Sequence, residues 1–465
     1  MRKKLHYHLI GIGGYRMSAI ARVVHAQGEI VTGSDRQESD RVRQLRAEGI
    51  EVAIGHCEAN VNNADVVVYT AAVSADNPEM IAARNKGVLL IEGAELLGRL
   101  IDPYKHRIAV AGTHGKTTTT AMINAILVHA GLDPTAFPIG GDAKACEENV
   151  RIGSGQVAIT EACEAYGSFL HLRPSIAVIT NIDADHLDYY GTIEGVEEGF
   201  RRFVECVNAD GCIVGCWDDV RVRRVLEGCG RKVVWFGLSE APDLRAVDVD
   251  VSSPRPVYKL NRRGEILGEI ELSVPGEQNV IDSLAAVAVA FELGVDIANV
   301  QEALRSFRGT GRRFEVLYNN DDVMVIDDYA HHPTEINATL RAARSAYNNK
   351  HIIAVFQPHL YSRTQALAEE FAEALSLADE VIVTSIYAAR EQPIEGVSGE
   401  NIVSGLRKRG FANARYAPNK DMLPSELANS MNKGDMVLVL GAGDIRSVAE
   451  ELAGTLAQRH IEESK

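Results

Sequence analysis

Short apolar runs that end in glycine-rich or polar turns recur along the chain, and stretches with helical periodicity follow most of them. The predicted strands are residues 5–12, 29–32, 64–69, 107–111, 157–160, 176–180, 323–327, 351–356, 380–384 and 436–440. The clearest predicted helices are residues 18–27, 280–293, 300–307 and 334–347. Residues 233–275 alternate in polarity instead, which indicates edge strands with a hairpin near 261–264. Strands that alternate with helices predict βαβ units with parallel sheets.

Two breaks divide this pattern. Residues 102–105 are polar and contain a proline, and residues 309–313 combine two glycines with two arginines. We therefore expect an α/β protein of three domains, each with a mainly parallel sheet flanked by helices. The predicted domains are residues 1–103, 104–310 and 311–465.

The composition limits the classes of function. The 465 residues include 48 Lys and Arg against 64 Asp and Glu, a formal net charge of −16. This acidity argues against a broad nucleic-acid-binding face, and an anionic ligand would need local donors. Seven scattered cysteines indicate reduced thiols, and no apolar run reaches the roughly 18 residues of a membrane span. We expect a soluble, cytoplasmic protein without a membrane partner.

The run GTHGKT, residues 112–117, lies between a predicted strand and a predicted helix. Backbone N–H groups of such a turn can point at phosphate oxygens, and the helix N-terminus adds partial positive charge. Lys116 supplies a cation for phosphates, and the Thr117 hydroxyl suits Mg²⁺. The loop is shorter than GxxxxGK[ST], so the alternative is a plain glycine turn with an exposed lysine. The predicted phosphate-binding residues here are Gly112, Thr113, His114, Gly115, Lys116, Thr117 and Thr118.

Acidic and histidine side chains follow two further predicted strands. Glu161 follows the strand at 157–160, and His186 lies in the run DADHLD after the strand at 176–180. Ligands of open α/β sheets collect at the carboxyl ends of strands. A hard cation prefers oxygen ligands, so Thr117 and Glu161 are predicted to hold Mg²⁺ or Mn²⁺, and His186 a second ion. The alternative for His186 is a satisfied core histidine.

The amino-terminal turn GIGGYR, residues 11–16, follows the first strand and is similar to a dinucleotide-type phosphate turn. Arg16 fills the place of the last glycine, and its guanidinium suits a diphosphate. A surface arginine beside an ordinary turn is the alternative. Residues 33–35, Gly-Ser-Asp, end the second strand and are placed to reach a ribose or uracil.

Two polar runs end strands in the last third of the chain. DDYAHHPTE begins at Asp327, with Thr334 as the predicted helix N-cap, and FQPHLYSRT begins at Phe356. Their His, Tyr and Arg side chains predict a small pocket in which Arg363 binds a carboxylate. Arg312, at the second domain junction, is placed to reach a phosphate. Surface polar runs and a charged linker are the alternatives.

These runs together resemble one family. They are GIGGYRMSAIA, AGTHGKTTTT, EACEAYGSFLHL, TNIDADHLDYYG, GTGRRFE, DDYAHHPTEI, FQPHLYSRT, SIYAAREQPIEGVSG and LGAGDI. They fall in the order found in Mur ligases, so the chain resembles that family across essentially its whole length. The resemblance implies a Rossmann-like UDP-sugar-binding domain, a P-loop central ATPase domain and a Rossmann-like amino-acid-binding domain.

In two features the chain resembles one branch of the Mur ligase family. Ligases of that branch add L-alanine to the carboxylate of UDP-N-acetylmuramate, through an acyl phosphate, in peptidoglycan precursor synthesis. Ligases that add later residues carry a carbamylated lysine nine places after a DHLDYHG-like motif, where this chain has Phe200. Murein tripeptide ligases lack the FQPHLYSRT run that contains His359 and Arg363. The implied requirements are ATP, Mg²⁺ or Mn²⁺, UDP-N-acetylmuramate and L-alanine, in a monomer or homodimer.

The resemblance also implies residue roles. The implied catalytic residues are Lys116, Glu161, His186 and His331. The phosphate turn is joined in ATP binding by Asn279, Asp282 and Arg312. The implied UDP-sugar contacts are Gly11, Gly13, Gly14, Ser34, Asp35 and Thr70. The implied amino-acid contacts are Tyr329, His331, His359 and Arg363.

Three positions depart from the family pattern. Arg16 replaces a glycine, and Gln278 and Asp282 replace His and Asn near the adenine site. A carboxylate cannot donate a hydrogen bond as an amide does. The open alternatives are an inactive UDP-sugar or nucleotide-binding paralogue, and a related ligase for another amino acid or a recycled peptide. An NAD-dependent oxidoreductase would leave the phosphate loop and the third domain unexplained.

Overall fold

A computed structural model describes residues 3–70, 73–137, 149–320, 322–389 and 391–463. Of the seven cysteines, Cys146 lies outside the described residues. The chain forms two compact units. The first consists of residues 1–247, 259–268 and 281–304, and the second of residues 248–258, 269–280 and 305–465. Among the described residues, no helix combines the length and apolar composition needed to cross a membrane.

The first sheet has five parallel strands in the order β3-β2-β1-β4-β5. Its strands are β1 (His6–Ile10), β2 (Ile30–Asp35), β3 (Glu51–Ile54), β4 (Val66–Tyr69) and β5 (Leu89–Glu92). The helices are α1 (Tyr15–Ala26), α2 (Asp40–Ala47), α3 (Pro78–Lys86) and α4 (Gly93–Ile101), with a 3₁₀ turn at Glu58–Val61. The amino-terminal glycine turn therefore leaves the carboxyl end of the central strand β1.

Two of the boundaries in this domain that differ from the sequence prediction follow from hydrogen bonding at the glycine turn. Helix α1 begins at Tyr15 instead of residue 18, because the Gly14 carbonyl already accepts the Ser18 N–H at 2.9 Å. Strand β2 continues to Asp35 instead of ending at residue 32, because its pairing with β1 and β3 runs on through Gly33 and Ser34.

The second sheet has nine strands in the order β14-β13-β12-β11-β10-β9-β6-β8-β7. They are β6 (His106–Ala111), β7 (Thr135–Phe137), β8 (Val157–Glu161), β9 (Ile176–Ile179), β10 (Cys212–Cys216), β11 (Lys232–Gly237), β12 (Leu244–Asp250), β13 (Val257–Arg262) and β14 (Glu265–Glu271). The helices are α5 (Lys116–His129), α6 (Leu187–Tyr190), α7 (Ile193–Glu205), α8 (Val220–Leu226), α9 (Glu277–Glu292) and α10 (Ile297–Ser306), with a 3₁₀ segment at Ala165–His171.

Strands β6 to β12 pair in parallel, and β9, β10 and most of β6 are buried, as their near-continuous apolar sequences require. The predicted hairpin is confirmed between β13 and β14. Its two turn residues, Arg263 and Gly264, both have positive φ, of 51° and 94°, which is the backbone of a type I′ turn. The side chain of Asn261 accepts the Gly264 N–H at 2.9 Å and closes the turn.

The third sheet has six strands in the order β15-β16-β20-β17-β18-β19, and only β15 is antiparallel to its neighbour. The strands are β15 (Glu315–Asn319), β16 (Met324–Asp328), β17 (His351–Phe356), β18 (Glu380–Val383), β19 (Ala414–Tyr416) and β20 (Asp435–Leu440). The helices are α11 (Pro333–Ala346), α12 (Tyr361–Leu375), α13 (Gly399–Lys408), α14 (Leu423–Ser430) and α15 (Arg446–Glu463), with a 3₁₀ turn at Lys420–Met422. A separate apolar core covers each face of the sheet.

The N-cap of α11 corrects a sequence prediction. The cap is His332 instead of Thr334, because Pro333 occupies the first helical position and the His332 side chain accepts the Thr334 N–H. Glu335 completes a capping box by accepting the His332 N–H at 3.3 Å.

The second unit includes two pieces of chain that precede residue 305. Arg255 donates a side-chain hydrogen bond to the Arg305 carbonyl at 3.3 Å. A Cβ atom at Gly276 would lie 2.7 Å from the Cβ of Ala342 on α11, so the backbone there packs directly against the third sheet's helix layer. The three-domain α/β architecture is confirmed, while the domain boundaries predicted at residues 103 and 310 remain predictions.

Candidate active site

The turn between β6 and α5 uses glycine where no other residue fits. Gly112 and Gly115 have φ of +133° and +82°, which is left-handed backbone that side chains disfavour. A Cβ atom at Gly112 would lie 1.9 Å from Oγ1 of Thr180, and one at Gly115 would lie 2.5 Å from Oδ1 of Asp282. The turn is therefore a tight one that closes onto its neighbours.

Hydrogen bonds fasten this turn to the residues that follow β9. The Thr113 N–H donates to the Asn181 carbonyl at 3.1 Å, and the His114 N–H donates to the Asn181 side-chain oxygen at 2.8 Å. The Asp183 N–H donates to the Thr113 hydroxyl at 2.8 Å, while Nε2 of His114 lies 3.2 Å from Oδ2 of Asp183. Two adjacent strand ends thus fix the backbone of the turn before any ligand arrives.

Lys116 lies within the turn and is held by a carboxylate that the sequence analysis did not single out. Its Nζ lies 3.0 Å and 3.2 Å from the two carboxylate oxygens of Glu164, which is 1% exposed, and it also donates to the carbonyls of Gly112 and Thr113. Burial alone would lower the pKa of Lys116, but the Glu164 carboxylate outweighs it and the pKa is raised. Lys116 is therefore a fixed ammonium cation.

The predicted cation ligands Thr117 and Glu161 are neighbours in the structure. The Thr117 hydroxyl donates to Oε1 of Glu161 at 2.8 Å, so two hard oxygen donors lie at the end of β8 and the start of α5. This donor set fits a magnesium ion, which prefers oxygen ligands. His186 has φ of +54° at the start of α6, and its Nε2 lies 3.9 Å from the carboxylate of Asp185. The described contacts thus pair His186 with Asp185, and its role at a second ion remains a prediction.

The residues predicted to surround the adenine lie at the start of α9. The side-chain amide of Asn279 donates to the Pro275 carbonyl at 2.7 Å and is buried. The side chain of Gln278 folds back against Gly276. Asp282 is 7% exposed and its carboxylate lies against Gly115. These contacts are structural, and the nucleotide contacts of Asn279 and Asp282 remain predictions, as does that of the buried Thr118.

The amino-terminal glycine turn is organised by the end of β2. The Ser34 carbonyl accepts the N–H groups of Gly11 at 2.8 Å and Ile12 at 3.0 Å, and the Asp35 carboxylate accepts the Gly13 N–H at 2.9 Å. A Cβ atom at Gly13 would lie 2.8 Å from that carboxylate. Gly14 then leads into α1 without a side-chain cap. Four of the predicted UDP-sugar residues are thus brought together with Ser34.

A buried glutamate lies beneath this turn. Glu79 is fully buried on α3, and its carboxylate accepts hydrogen bonds from the Ser34 hydroxyl at 2.7 Å and the Asn60 amide at 2.5 Å. His56 Nδ1 lies 3.2 Å from it and His8 Nε2 lies 3.8 Å from it. Burial would raise the pKa of Glu79, but these donors together lower it to about 2.

Two other predictions in this domain have less structural context. Thr70 ends β4, and its carbonyl accepts the Val73 N–H at 2.9 Å. Arg16 lies in the first turn of α1 and is partly exposed. The guanidinium closest to the turn in the described contacts is that of Arg41, which donates to the Gly13 carbonyl at 3.3 Å. Sequence reasoning did not identify Arg41.

The predicted amino-acid pocket is a row of aromatic rings at the ends of β16 and β17. The ring centres of Tyr329 and His331 are 5.3 Å apart, and those of His331 and His359 are 5.8 Å apart. Arg363 contacts the row, since its Nη1 lies 3.3 Å from Nδ1 of His359. Burial lowers the pKa of His331, and the charge of Arg363 lowers it further, although Glu335 opposes the shift. The four predicted amino-acid residues therefore converge.

Arg312 is held beside this pocket. Its Nε donates to the buried carboxylate of Asp327 at 3.2 Å, its Nη2 donates to the Gly441 carbonyl at 2.7 Å, and its guanidinium carbon lies 4.8 Å from the centre of the Tyr329 ring. Burial raises the pKa of Asp328, the residue after Asp327, to about 6. Arg312 belongs to the second unit and Lys116 to the first, so its contact with a nucleotide remains a prediction.

The segment after β18 supplies two contacts that sequence reasoning missed. Helix α12 begins at Tyr361 without a cap from its own N-cap residue, and the Glu391 carboxylate accepts the Ser362 N–H at 3.0 Å instead. The ring of Tyr387 lies 5.8 Å from that of His359. The quoted run SIYAAREQPIEGVSG contains both residues. The position of this run after a predicted strand was the signal that could have indicated its place at the site.

All three parts of the sequence match domains of one family. Residues 6–105 match the catalytic domain of the Mur ligase family, residues 110–290 the Mur ligase middle domain, and residues 312–443 the Mur ligase glutamate ligase domain. These matches follow one another in the order of the three sheets.

Similar proteins from three organisms are named as ligases of UDP-N-acetylmuramate and alanine. The UDP-N-acetylmuramate–L-alanine ligase of Sulfurihydrogenibium sp. is 45% identical over 97% of this chain and 98% of its own length. The enzyme of that name from Caldanaerobacter subterraneus subsp. tengcongensis is 43% identical, with the same coverage. The crystal structure of the UDP-N-acetylmuramate–alanine ligase of Thermotoga maritima is 32% identical and superposes with a TM-score of 0.83, covering 99% of this chain and all of the other.

Proposed function

Since this chain belongs to the Mur ligase family, we propose that it uses ATP to join L-alanine to the carboxylate of UDP-N-acetylmuramate in peptidoglycan precursor synthesis. The observation that carries this proposal is the full-length similarity to ligases of that name, at 43% and 45% identity. Two local features agree with it. Phe200 is fully buried in the core where other branches carry a functional lysine, and His359 and Arg363 lie together in the third domain.

The reaction needs activation because a carboxylate is a poor electrophile at neutral pH. A carboxylate oxygen of the muramate attacks the γ-phosphorus of ATP, and ADP leaves. The amine of L-alanine then attacks the carbonyl carbon of the acyl phosphate. Inorganic phosphate leaves with the electrons of the broken C–O bond, and the amine loses a proton. The protein supplies positioning and charge stabilisation at both steps.

Lys116 and the uncapped N-terminus of α5 stabilise the charge that develops on the transferred phosphoryl group. The Lys116 ammonium has four acceptors around it, so it exchanges at least one of them to contact a phosphate. Thr117 and Glu161 would hold Mg²⁺, which when bound neutralises phosphate charge, and His186 would hold a second ion. These assignments rest on the Thr117–Glu161 hydrogen bond and on the family pattern.

The amino acid binds in the third domain. Arg363 and His359 hold the carboxylate of L-alanine, because a guanidinium forms charge-assisted hydrogen bonds to a carboxylate and the imidazole adds a further N–H donor. His331 orients the amine and accepts its proton, and Tyr329 closes the pocket. Because the pKa of His331 is lowered, its ring is neutral near pH 7, and the neutral ring can accept a proton.

The UDP-sugar binds in the first domain, at the carboxyl end of β1. The uncapped N-terminus of α1 receives the diphosphate. Asp35 ends β2 and Thr70 follows β4, where they can reach the uridine. Arg312 contacts the nucleotide phosphate. We also propose that the protein is cytoplasmic and that its oligomeric state is a monomer or homodimer.

The test is an ADP-release assay with the full-length protein and each of ATP, UDP-N-acetylmuramate and L-alanine omitted in turn. The proposal expects multiple-turnover release only when all three are present with Mg²⁺, and loss of release with a chelator. L-serine, glycine and a muropeptide-type tripeptide replace L-alanine in parallel reactions. Greater release with any of these identifies a related ligase. UDP-sugar binding without release identifies an inactive paralogue.

A further inference from the structure

Tyr387 extends the row of rings in the amino-acid pocket. Its ring lies against that of His359 with centres 5.8 Å apart and planes at 18°, a stacked arrangement, whereas the His331 and His359 rings meet edge to face at 70°. Arg363 contacts the edge of the same imidazole. His359 is thus held on its face by Tyr387 and on its edge by Arg363.

The backbone holds Tyr387 in this place. Its N–H donates to the Pro358 carbonyl at 2.8 Å, and its carbonyl accepts the Leu360 N–H at 3.0 Å, so both bonds flank His359. Leu360 has φ of +71°, a left-handed conformation that a leucine rarely adopts. On the other side, a Cβ atom at Gly443 would lie 2.6 Å from the Tyr387 ring, so the ring fits against bare backbone. The ring position is therefore set from both sides.

We propose that Tyr387 is a positioning residue for amino-acid binding, and that it fixes the His359 imidazole in the orientation that receives the carboxylate of the incoming amino acid. This inference rests on the proposed function, because it assigns His359 and Arg363 to that carboxylate. Since Arg363 can only donate, Nδ1 of His359 accepts and Nε2 carries the proton. The stacked Tyr387 ring prevents the imidazole from turning away from this arrangement.

The effect falls on one substrate. Without the ring, His359 rotates freely and Arg363 loses its acceptor, so the amino acid must order both groups when it binds. We expect Tyr387→Ala to raise the KM for L-alanine about tenfold, the size expected of one aromatic stacking contact. The KM for ATP and that for UDP-N-acetylmuramate stay within about twofold, because neither substrate is bound through His359 in the proposed function. Tyr387→Phe keeps the stacking face and restores the KM for L-alanine.

A matched control removes a different stacked ring from the same unit. Tyr347 follows the carboxyl end of α11 and stacks on Phe314 with ring centres 6.3 Å apart. Tyr347→Ala should lower thermal stability without raising the KM for L-alanine. This comparison separates a positioning effect from loss of a packed aromatic ring.

The outcomes distinguish this inference from the proposed function. If the wild-type protein releases no ADP with any amino acid, the proposed function fails and calorimetric L-alanine binding tests Tyr387 directly, with about tenfold weaker binding expected for Tyr387→Ala. If the wild type is active and Tyr387→Ala keeps its KM for L-alanine, the inference is wrong. It is also wrong if Tyr387→Phe shows the same rise as Tyr387→Ala, or if Tyr347→Ala raises that KM equally.

Discussion

Two glycine turns in this molecule have the same local design and rest on different chemistry. Each leaves a central parallel strand, enters a helix without a side-chain cap, and has a buried glutamate close by. Beneath the first turn, Glu79 holds the neutral hydroxyl of Ser34. Beside the second, Glu164 holds the ammonium of Lys116, and Thr117 and Glu161 add further polar atoms.

The difference shows what a glycine turn contributes by itself. Each turn leads into an uncapped helix N-terminus, and the side chains around it decide whether the turn takes part in chemistry or only in binding. Glu79 is two hydrogen bonds from the backbone of its turn, through Ser34, and no Lys or Arg side chain lies against it in the described contacts. Glu164 touches the one cation of its turn. We therefore expect Glu79 to matter for stability and Glu164 for turnover.

The largest expected effect is at the second turn. Lys116→Met removes the cation that faces the transferred phosphoryl group, and kcat for ADP release should fall about 10³-fold, in the range seen when one charge-stabilising donor is lost. The measurement is steady-state ADP release at saturating substrate concentrations, with thermal unfolding as the control for folding. Activity within tenfold of the wild type would contradict the assignment.

Glu164→Gln sharpens the comparison by leaving Lys116 in place without its partner. A buried charge left unpaired is unstable, so the lysine side chain should lose its fixed position. We expect kcat/KM for ATP to fall about 30-fold, while binding of the UDP-sugar is unchanged. Double-mutant cycles with Lys116→Met test the coupling, and additive effects of the two substitutions would sink the idea.

Glu79→Gln is the same substitution at the other turn. It should lower the free energy of unfolding by about 1.5 kcal/mol at pH 7, because hydrogen bonds to a charged acceptor are replaced by bonds to a neutral one. kcat should remain within about twofold of the wild type. A 30-fold loss of turnover here, matching that of Glu164→Gln, would erase the contrast.

The contribution of Glu79 to the free energy of unfolding depends on pH in the direction that its pKa sets. The pKa of Glu79 is about 2 in the folded protein against an ordinary value of 4.5. A lowered pKa stabilises the fold above pH 4.5, and the contribution disappears as the pH falls from 4.5 toward 2. The stability difference between wild type and Glu79→Gln should therefore shrink over that interval in urea melts. His8, His56, Ser34 and Asn60 are the polar groups that face Glu79 in the described contacts.

The smallest effect is expected at the cation of the first turn. Arg16 is partly exposed, and the described contacts of the turn involve Asp35 and Arg41 instead. Arg16→Gly restores the glycine of the family pattern and should change the KM for UDP-N-acetylmuramate by no more than about threefold, as for exposed charges in general. A rise of tenfold or more would show that this turn, too, depends on a charged side chain.

The parts of the fold and of the site that the sequence predicts are those whose residues are neighbours in the chain. The run GTHGKT carries its own signal, and the apolar strands around it determine which edge of the sheet it occupies. Glu164 lies 48 residues from Lys116 and Glu79 lies 45 from Ser34, so tertiary folding alone brings each pair together. A single sequence does not specify which acidic residue after a strand turns inward, because that depends on the packing of the following segment.

Helix starts at the sites carry little sequence signal for a related physical reason. Helices α1, α5 and α12 all begin without a hydrogen bond from their own N-cap side chain, whereas α2, α7 and α13 have the Ser or Thr caps that a sequence displays. Starts without a cap leave backbone N–H groups available to ligands. The feature that obscures the boundary in the sequence is thus the one that suits the helix to binding.

The composition of the second unit affects how this enzyme can be divided for study. A fragment that starts at residue 311 keeps the whole third sheet but loses the backbone at Gly276 that packs on Ala342. It also loses residues 248–258 and the Arg255 contact with Arg305. Such a fragment would expose apolar surface on α11 and would be prone to aggregate. A stable amino-acid-binding fragment would instead need residues 269–280 grafted ahead of residue 305, as a discontinuous domain requires.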